Sequence, residues 1–163
     1  MATYDTVVFP SIVLVDQREQ LPFRFTGLRS DAKDGRRPLV VSTRVATLPT
    51  GDYSLEGMAD RVAVERKSLA DLFATLGQDR ERFERELTRL AEMTFAAVVV
   101  EADWDKILKH PPEFSRLNPK TIFRSVIAWQ QRYPRVHWWM GPDRRFAEIV
   151  TLRILERFLK EQS

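Results

Sequence analysis

The spacing of hydrophobic positions changes period several times along the chain, and each change marks an element. Residues 11–16, SIVLVD, form a β-branched run closed by an acid and predict a buried strand. Residues 27–38, GLRSDAKDGRRP, have no periodicity and read as a polar, basic loop. Strands are predicted at 39–47 (LVVSTRVAT), 51–55 and 62–67, the last two joined by a hairpin loop at 56–61. Then the period lengthens. Leu69, Leu72, Phe73 and Leu76 fall at i, i+3, i+4 and i+7, one face of a helix. After Gly77 a second helix turns Phe83, Leu87 and Leu90 inward. Residues 95–101, FAAVVVE, predict a strand buried on both faces, and Asn118-Pro119 starts a helix that runs to about Arg132. A last strand at 136–140 and a helix at 144–160 close the chain. The order β-β-β-β-α-α-β-α-β-α describes one α/β layer sandwich around a mixed sheet.

A chain of 163 residues is one domain of ordinary size. It has no cysteine, which removes disulfide frameworks, thiol nucleophiles and zinc–thiolate sites and leans towards a reducing compartment. No apolar stretch is long enough to cross a bilayer, and the opening MATYDTVVFP has no basic flank or cleavage pattern. The expectation is a cytoplasmic protein of a bacterium or phage-infected cell, or a nuclear one in a eukaryote. The formal charge of +3 is unevenly placed. Residues 116–145 carry a net +6 and residues 24–44 a net +4, so the remainder is acidic. Such segregation suits a basic surface for a polyanion with carboxylates kept elsewhere, or else simple solubility.

The chemistry gathers at the predicted hairpin. With its loop centred between Met58 and Ala59, Asp52 lies opposite Glu65, and strand alternation puts Lys67 on the same face as Glu65. Facing carboxylates repel unless a cation lies between them. Mg²⁺ is a hard ion that prefers carboxylate oxygens, and Lys67 would neutralise charge on a transferring phosphate or orient a water. Alternatively, Glu65 and Lys67 form a solvated surface ion pair.

Gly51-Asp52-Tyr53 followed by Val64-Glu65-Arg66-Lys67-Ser68-Leu69-Ala70-Asp71 resembles the GDx(n)ERKx₃D motif of the XPF/Hef nuclease family. Val15-Asp16-Gln17-Arg18-Glu19 resembles that family's first acidic strand, and Arg80-Glu81-Arg82-Phe83 with Glu86 its following basic helix. The resemblance implies a restriction-endonuclease-like three-layer α/β/α sandwich that cuts DNA with Mg²⁺ or Mn²⁺, usually at branched, flap or junction structures. By position, Asp52, Glu65 and Asp16 match metal ligands, Lys67 the active-site lysine, and Asp71 an outer catalytic acid. Arg66 matches the motif's arginine, which holds a neighbouring acid or contacts phosphate. DNA contacts are expected from Arg66, Arg80, Arg82, Arg36 and Arg37. No helix-hairpin-helix pattern occurs, so the expectation is a single nuclease domain over 1–163, with residues 1–10 as an N-terminal tail. A minimal, phage-encoded form fits, as does a homodimer or a protein partner that targets DNA. The resemblance also leaves open an end-processing exonuclease of recombination or an inactive DNA-binding scaffold.

Several residues have plainer readings too. Ser68 and Asp71 make a capping box. His110 and His137 lack the company a nucleophilic relay needs. Trp138 and Trp139 point to opposite faces of a strand, one into the core and the other under a helix.

Overall fold

The computed structural model describes residues 5–163. Its strands are β1 (Val7–Asp16), β2 (Leu28–Arg29), β3 (Pro38–Ala46), β4 (Tyr53–Leu55), β5 (Val62–Lys67), β6 (Phe95–Val100) and β7 (Val136–Met140). Its helices are α1 (Leu69–Leu76), α2 (Arg80–Leu90), α3 (Trp104–Lys109), α4 (Pro119–Arg132) and α5 (Arg144–Glu161). The strands form one sheet in the order β2-β3-β1-β4-β5-β6-β7. Strands β5, β6 and β7 run parallel, as do β1 and β3, while β4 is antiparallel to both its neighbours. The sheet is therefore mixed, as the sequence predicts.

Alternation along the buried strands separates two cores. Val62 and Val64 of β5, with Ala97 and Val99 of β6, pack with Phe23, Phe25 and Leu152, Leu155 and Phe158 of α5. Ala63, with Ala96, Val98 and Val100, faces Leu72, Phe73, Phe83, Leu87, Ile107, Ile122 and Trp129 of the other helices. The result is the three-layer α/β/α sandwich, with α5 on one face and α1 to α4 on the other.

Four details differ from the sequence pattern. Strand β1 begins at Val7, pairing Val7 with Leu39, so residues 7–10 are strand and not tail. Residues 1–4 of the expected tail lie outside the described residues. The 27–38 loop contains β2 and a 3-10 turn at Ala32–Asp34, because Leu28 is buried against Leu39. Helix α3 is too short for its periodicity to show, burying Ile107 alone, although Asp103 caps it. Trp138 stacks on Trp129 in the core, but Trp139, at the outer strand of the sheet, stays 46% exposed.

Candidate active site

Tyr53 pairs with Val64, the register that sets Asp52 opposite Glu65. Tyr53 and Val64 belong to the α5-side core, so Asp52, Glu65 and Lys67 turn to the other face, towards α1 and α2. Gly51 makes this geometry reachable. It sits at φ +77°, and a Cβ there would lie 3.0 Å from the Cβ of Ala63. Oδ2 of Asp52 then accepts the main-chain N–H of Arg66 at 2.8 Å.

Glu65 is buried, and Lys67 Nζ lies 3.2 Å from its Oε1. The same Nζ sits 4.9 Å from the centroid of the Phe83 ring. Burial pushes the Asp52 carboxyl up to about 6, helped by the charges of Glu19 and Glu86 and opposed by the Arg66 N–H. Glu65 is pushed well above the carboxylate range by burial and by Asp52 and Glu86, the last also within hydrogen-bonding reach. Burial would lower Lys67, but Glu65 and Glu86 outweigh it and hold the ammonium protonated. Three carboxylates thus crowd one lysine, a surplus of negative charge that favours a cation.

Arg66 turns to the opposite face, as alternation requires. Its Nε and Nη2 donate to Glu19 at 2.8 and 2.6 Å, and its Nη1 to Glu101 at 2.9 Å. Arg144 at the start of α5 backs the cluster with a 3.0 Å bond to Glu101 and a place over the Phe23 ring. With its side chain 6% exposed, the Arg66 guanidinium is engaged by Glu19 and Glu101, the acid-holding one of its two expected roles. Tyr53 completes the cluster, its hydroxyl accepting the Phe23 N–H and donating to Glu19.

Asp16, which by its place at a strand end reads as a metal ligand or a turn acid, is bonded to the loop that follows it. Its Oδ2 accepts from the N–H and Nε of Arg18, and its Oδ1 from Leu48 N–H and Arg18 Nη2. Burial alone would raise its pKa, but these bonds outweigh burial and hold it below the usual value. Its oxygens are occupied as a loop anchor, beside Asp52 through the main chain. Asp71 is exposed and closes the capping box with Ser68. The strongest charges on the Asp52–Glu65 pair come from Glu19, Glu86 and Lys67.

Of the expected DNA contacts, Arg80 clasps α2 to α4, donating to Ser125 Oγ at 2.8 Å and lying over Trp129. Arg82 is largely exposed and pairs with Asp79. Arg36 and Arg37 sit in the turn between β2 and β3, at the end of the sheet where β1 begins. The carboxylates lie at the end where β1 stops, so the structure does not bring this loop to them. Glu86 and Glu101 belong to the site region without having been singled out for it. Glu86 lies on α2 among paired charges, and Glu101 ends an apolar run. Strand order alone brings Glu101 beside Arg66.

Among the described residues, no three metal-ligating side chains converge into a preformed cage. The donor set nevertheless fits a hard divalent ion. Buried carboxylate oxygens from Asp52 and Glu65, with Glu86 at hand and no sulfur or imidazole among them, are the donors such an ion takes.

A mixed sheet clad on both faces by helices, with an acid–acid–lysine group where β4 begins and β5 ends, defines the restriction-endonuclease-like class. The sequence matches the ERCC4 domain over residues 15–151, and the chain belongs to that family, the XPF-type nucleases. No curated protein gives a sequence match. Among solved structures, it is similar to XPF from Aeropyrum pernix, with 23% identity and a TM-score of 0.59 over 93% of this chain and 61% of that one. It is also similar to XPF from Aeropyrum pernix in complex with DNA, at 22% identity and a TM-score of 0.63, over 93% and 66% of the two chains. The chain thus spans about two thirds or less of the length of these structures. Among the described residues, no helix is long and apolar enough to cross a membrane.

Proposed function

We propose that the protein is a metal-dependent DNA endonuclease that hydrolyses phosphodiester bonds, with branched, flap or junction DNA as substrate. The observation that carries this reading is the pair of inward-facing carboxylates, Asp52 and Glu65, set against Lys67. Burial and neighbouring carboxylates raise both carboxyls, Glu19 and Glu86 acting on Asp52 and Asp52 and Glu86 on Glu65, an arrangement that added positive charge would relieve.

Asp52 and Glu65, with Glu86, would hold Mg²⁺, or Mn²⁺ in its place. When bound, such an ion lowers the pKa of water and stabilises charge on the phosphate oxygens. Lys67 keeps its proton beside Glu65 and is positioned to fix the attacking water or to balance charge in the transition state. Arg66 fixes Asp52 through its N–H and carries no direct part in the chemistry. Asp16 and Asp71 support the loop and helix that frame the group.

The solved XPF complex with DNA supports DNA as the partner. A homodimer, and roles in repair or recombination, belong to the same reading. The intact acids and lysine favour an enzyme over an inactive scaffold. The test is cleavage of flap, fork, four-way and linear DNA with Mg²⁺, Mn²⁺, Ca²⁺ or EDTA. Cleavage with Mg²⁺ or Mn²⁺, lost in EDTA and absent with Ca²⁺, is expected. Undiminished cleavage in EDTA would overturn the metal mechanism, and preferred digestion of linear ends would favour an exonuclease.

A further inference from the structure

Residues 114–142 contain no acid, yet carry Arg116, Lys120, Arg124, Arg132 and Arg135. This run includes all of α4, and it contrasts most with α5. All five cations of α5 pair with acids, as do Arg80 and Arg82 of α2 and Lys109 of α3, while Arg85, Arg89 and Lys106 join no ion pair among the described residues. Among the described residues, none of the ion pairs includes Arg116, Lys120 or Arg124, and all three are exposed.

Locally, these charges are badly placed. Lys120 and Arg124 are one turn apart, an arrangement that repels. Lys120 also stands in the first helical turn, where the peptide dipoles disfavour a cation. Within α4 no acid offsets either penalty, and Arg124 has only the Phe123 ring beside it, 6.0 Å from its guanidinium carbon to the centroid. An anion outside the helix would offset both, and the helix amino terminus would add to its attraction.

Topology places that anion. Strands β6 and β7 are parallel, so α4 must run back from the end of β6 to the start of β7. Lys120 therefore lies towards the strand ends that carry Glu65 and Lys67, in register with Val98 and Val100. Arg132 lies towards the opposite edge, about 18 Å away at ~1.5 Å rise per residue. Helix α4 is also a direct neighbour of the site layer. Lys67 touches Phe83, whose ring meets Trp129 of α4 edge-on at 5.5 Å, and Arg80 bonds α2 to Ser125. The buried residues of α4, Ile122, Ser125, Val126 and Trp129, leave Lys120 and Arg124 on its solvent side.

We propose that Arg116, Lys120 and Arg124 form a phosphate-gripping track that holds one arm of a DNA duplex beside the carboxylate group. This inference rests on the nuclease reading and specifies where its substrate lies. The 27–38 loop is also basic, with four cations against Asp31 and Asp34, but sits at the wrong end of the sheet for that task. Arg132 and Arg135, equally free of ion pairs but at the far edge, lie outside the track and serve as its control.

The experiment compares K120Q/R124Q with R132Q/R135Q, two changes equal in net charge. Binding of a short fluorescein-labelled duplex is followed by anisotropy across a salt titration in EDTA, so that the DNA stays intact. K120Q/R124Q is expected to bind more weakly and to lose about 2 from the slope of log affinity against log salt. R132Q/R135Q should keep nearly the parental slope, and both variants should melt as the parent does, since all four positions are exposed. Equal losses in the two variants would mean general charge attraction and overturn the track, as would parental binding by K120Q/R124Q. If the parent protein itself neither binds nor cuts DNA, the nuclease reading fails and takes the track with it. If the parent does both while K120Q/R124Q matches it, the track alone fails.

Discussion

The main-chain N–H of Arg66 donates to Asp52 Oδ2 at 2.8 Å, while the side chain of the same arginine is held by Glu19 and Glu101 on the other face of the sheet. One residue thus couples the two layers. Its amide aims a carboxylate of the site, and its guanidinium ties strand β5 to the segment after β1 and to the end of β6. The motif ERK is consequently two devices in three positions. Glu65 and Lys67 turn to the candidate site, and Arg66 anchors the strand that presents them.

Removing charge from the carboxylates should separate activity from stability. Asp52→Asn and Glu65→Gln relieve repulsion in a crowded acidic group, so without metal each variant should melt as high as the parent or higher. Each should also lose cleavage by about a hundredfold or more, as ligands to the ion are lost. Lys67→Ala removes the nearest cation from Glu65 and should melt lower in EDTA. Thermal melts without metal beside single-turnover cleavage with Mg²⁺ decide the matter. An Asp52→Asn protein that melts several degrees lower and still cuts would refute the assignment.

The raised Asp52 pKa has a definite consequence with pH. The unfolded carboxyl titrates near 3.8 and the folded one near 6, so between these values the folded protein holds the proton more tightly. Stability from this group is greatest below that window and is lost as pH rises through it. In metal-free buffer, the melting advantage of Asp52→Asn over the parent should therefore grow from about pH 4 to pH 6 and level off above. Saturating Mg²⁺ should erase the trend, because a bound cation favours the ionised form. A difference that stays flat from pH 4 to 8 would contradict a buried, raised carboxyl.

Arg66 should matter to folding far more than an exposed arginine does. Arg66→Ala leaves Glu19 buried without its cation and Glu101 with Arg144 alone, and breaking a buried pair typically costs about 3–5 kcal/mol. Arg82→Ala, which breaks an exposed pair with Asp79, should cost no more than ~1 kcal/mol. Arg66→Lys should recover only part of the loss, since one ammonium does not reproduce the fork that reaches both acids. Urea unfolding of the three variants gives the comparison directly.

Gly51 should resist replacement for steric reasons that Gly35 lacks. Both have positive φ, +77° and +73°, but an added Cβ at Gly51 meets Ala63 at 3.0 Å and the Val64 carbonyl at 3.3 Å, while at Gly35 it meets nothing. Gly35→Ala should cost about 1 kcal/mol of backbone strain. Gly51→Ala adds overpacking of about 1–3 kcal/mol and shifts Asp52. It should therefore lose cleavage even where the protein remains folded. Equal stability and equal activity in the two variants would remove the steric argument.

Local pattern alone determined much of this protein. The run FAAVVV could only be a strand buried on both faces, and the helical spacing of Leu69, Leu72, Phe73 and Leu76 placed α1. Asn118-Pro119 set the start of α4, and the hairpin length placed Asp52 across from Glu65. These are short-range properties, written in neighbouring side chains and turn geometry. Partnerships across the sheet were not legible, because they depend on strand order. Nothing in the sequence near Glu101 announces that β6 lies beside β5 and brings this acid to Arg66. The bonds from Arg18 and Leu48 to the Asp16 oxygens depend on how the loops fold back, and Glu86, by its pattern one more helix acid, reaches Glu65 only through the packing of α2. The same holds for the basic segments. Charge counts rank the 24–44 and 116–145 stretches as similar, and only the parallel pairing of β1 with β3 and of β6 with β7 decides which reaches the carboxylates. Periodicity is a one-dimensional property and survives in the sequence, whereas the end of a sheet to which a residue comes is settled only when the strands pair.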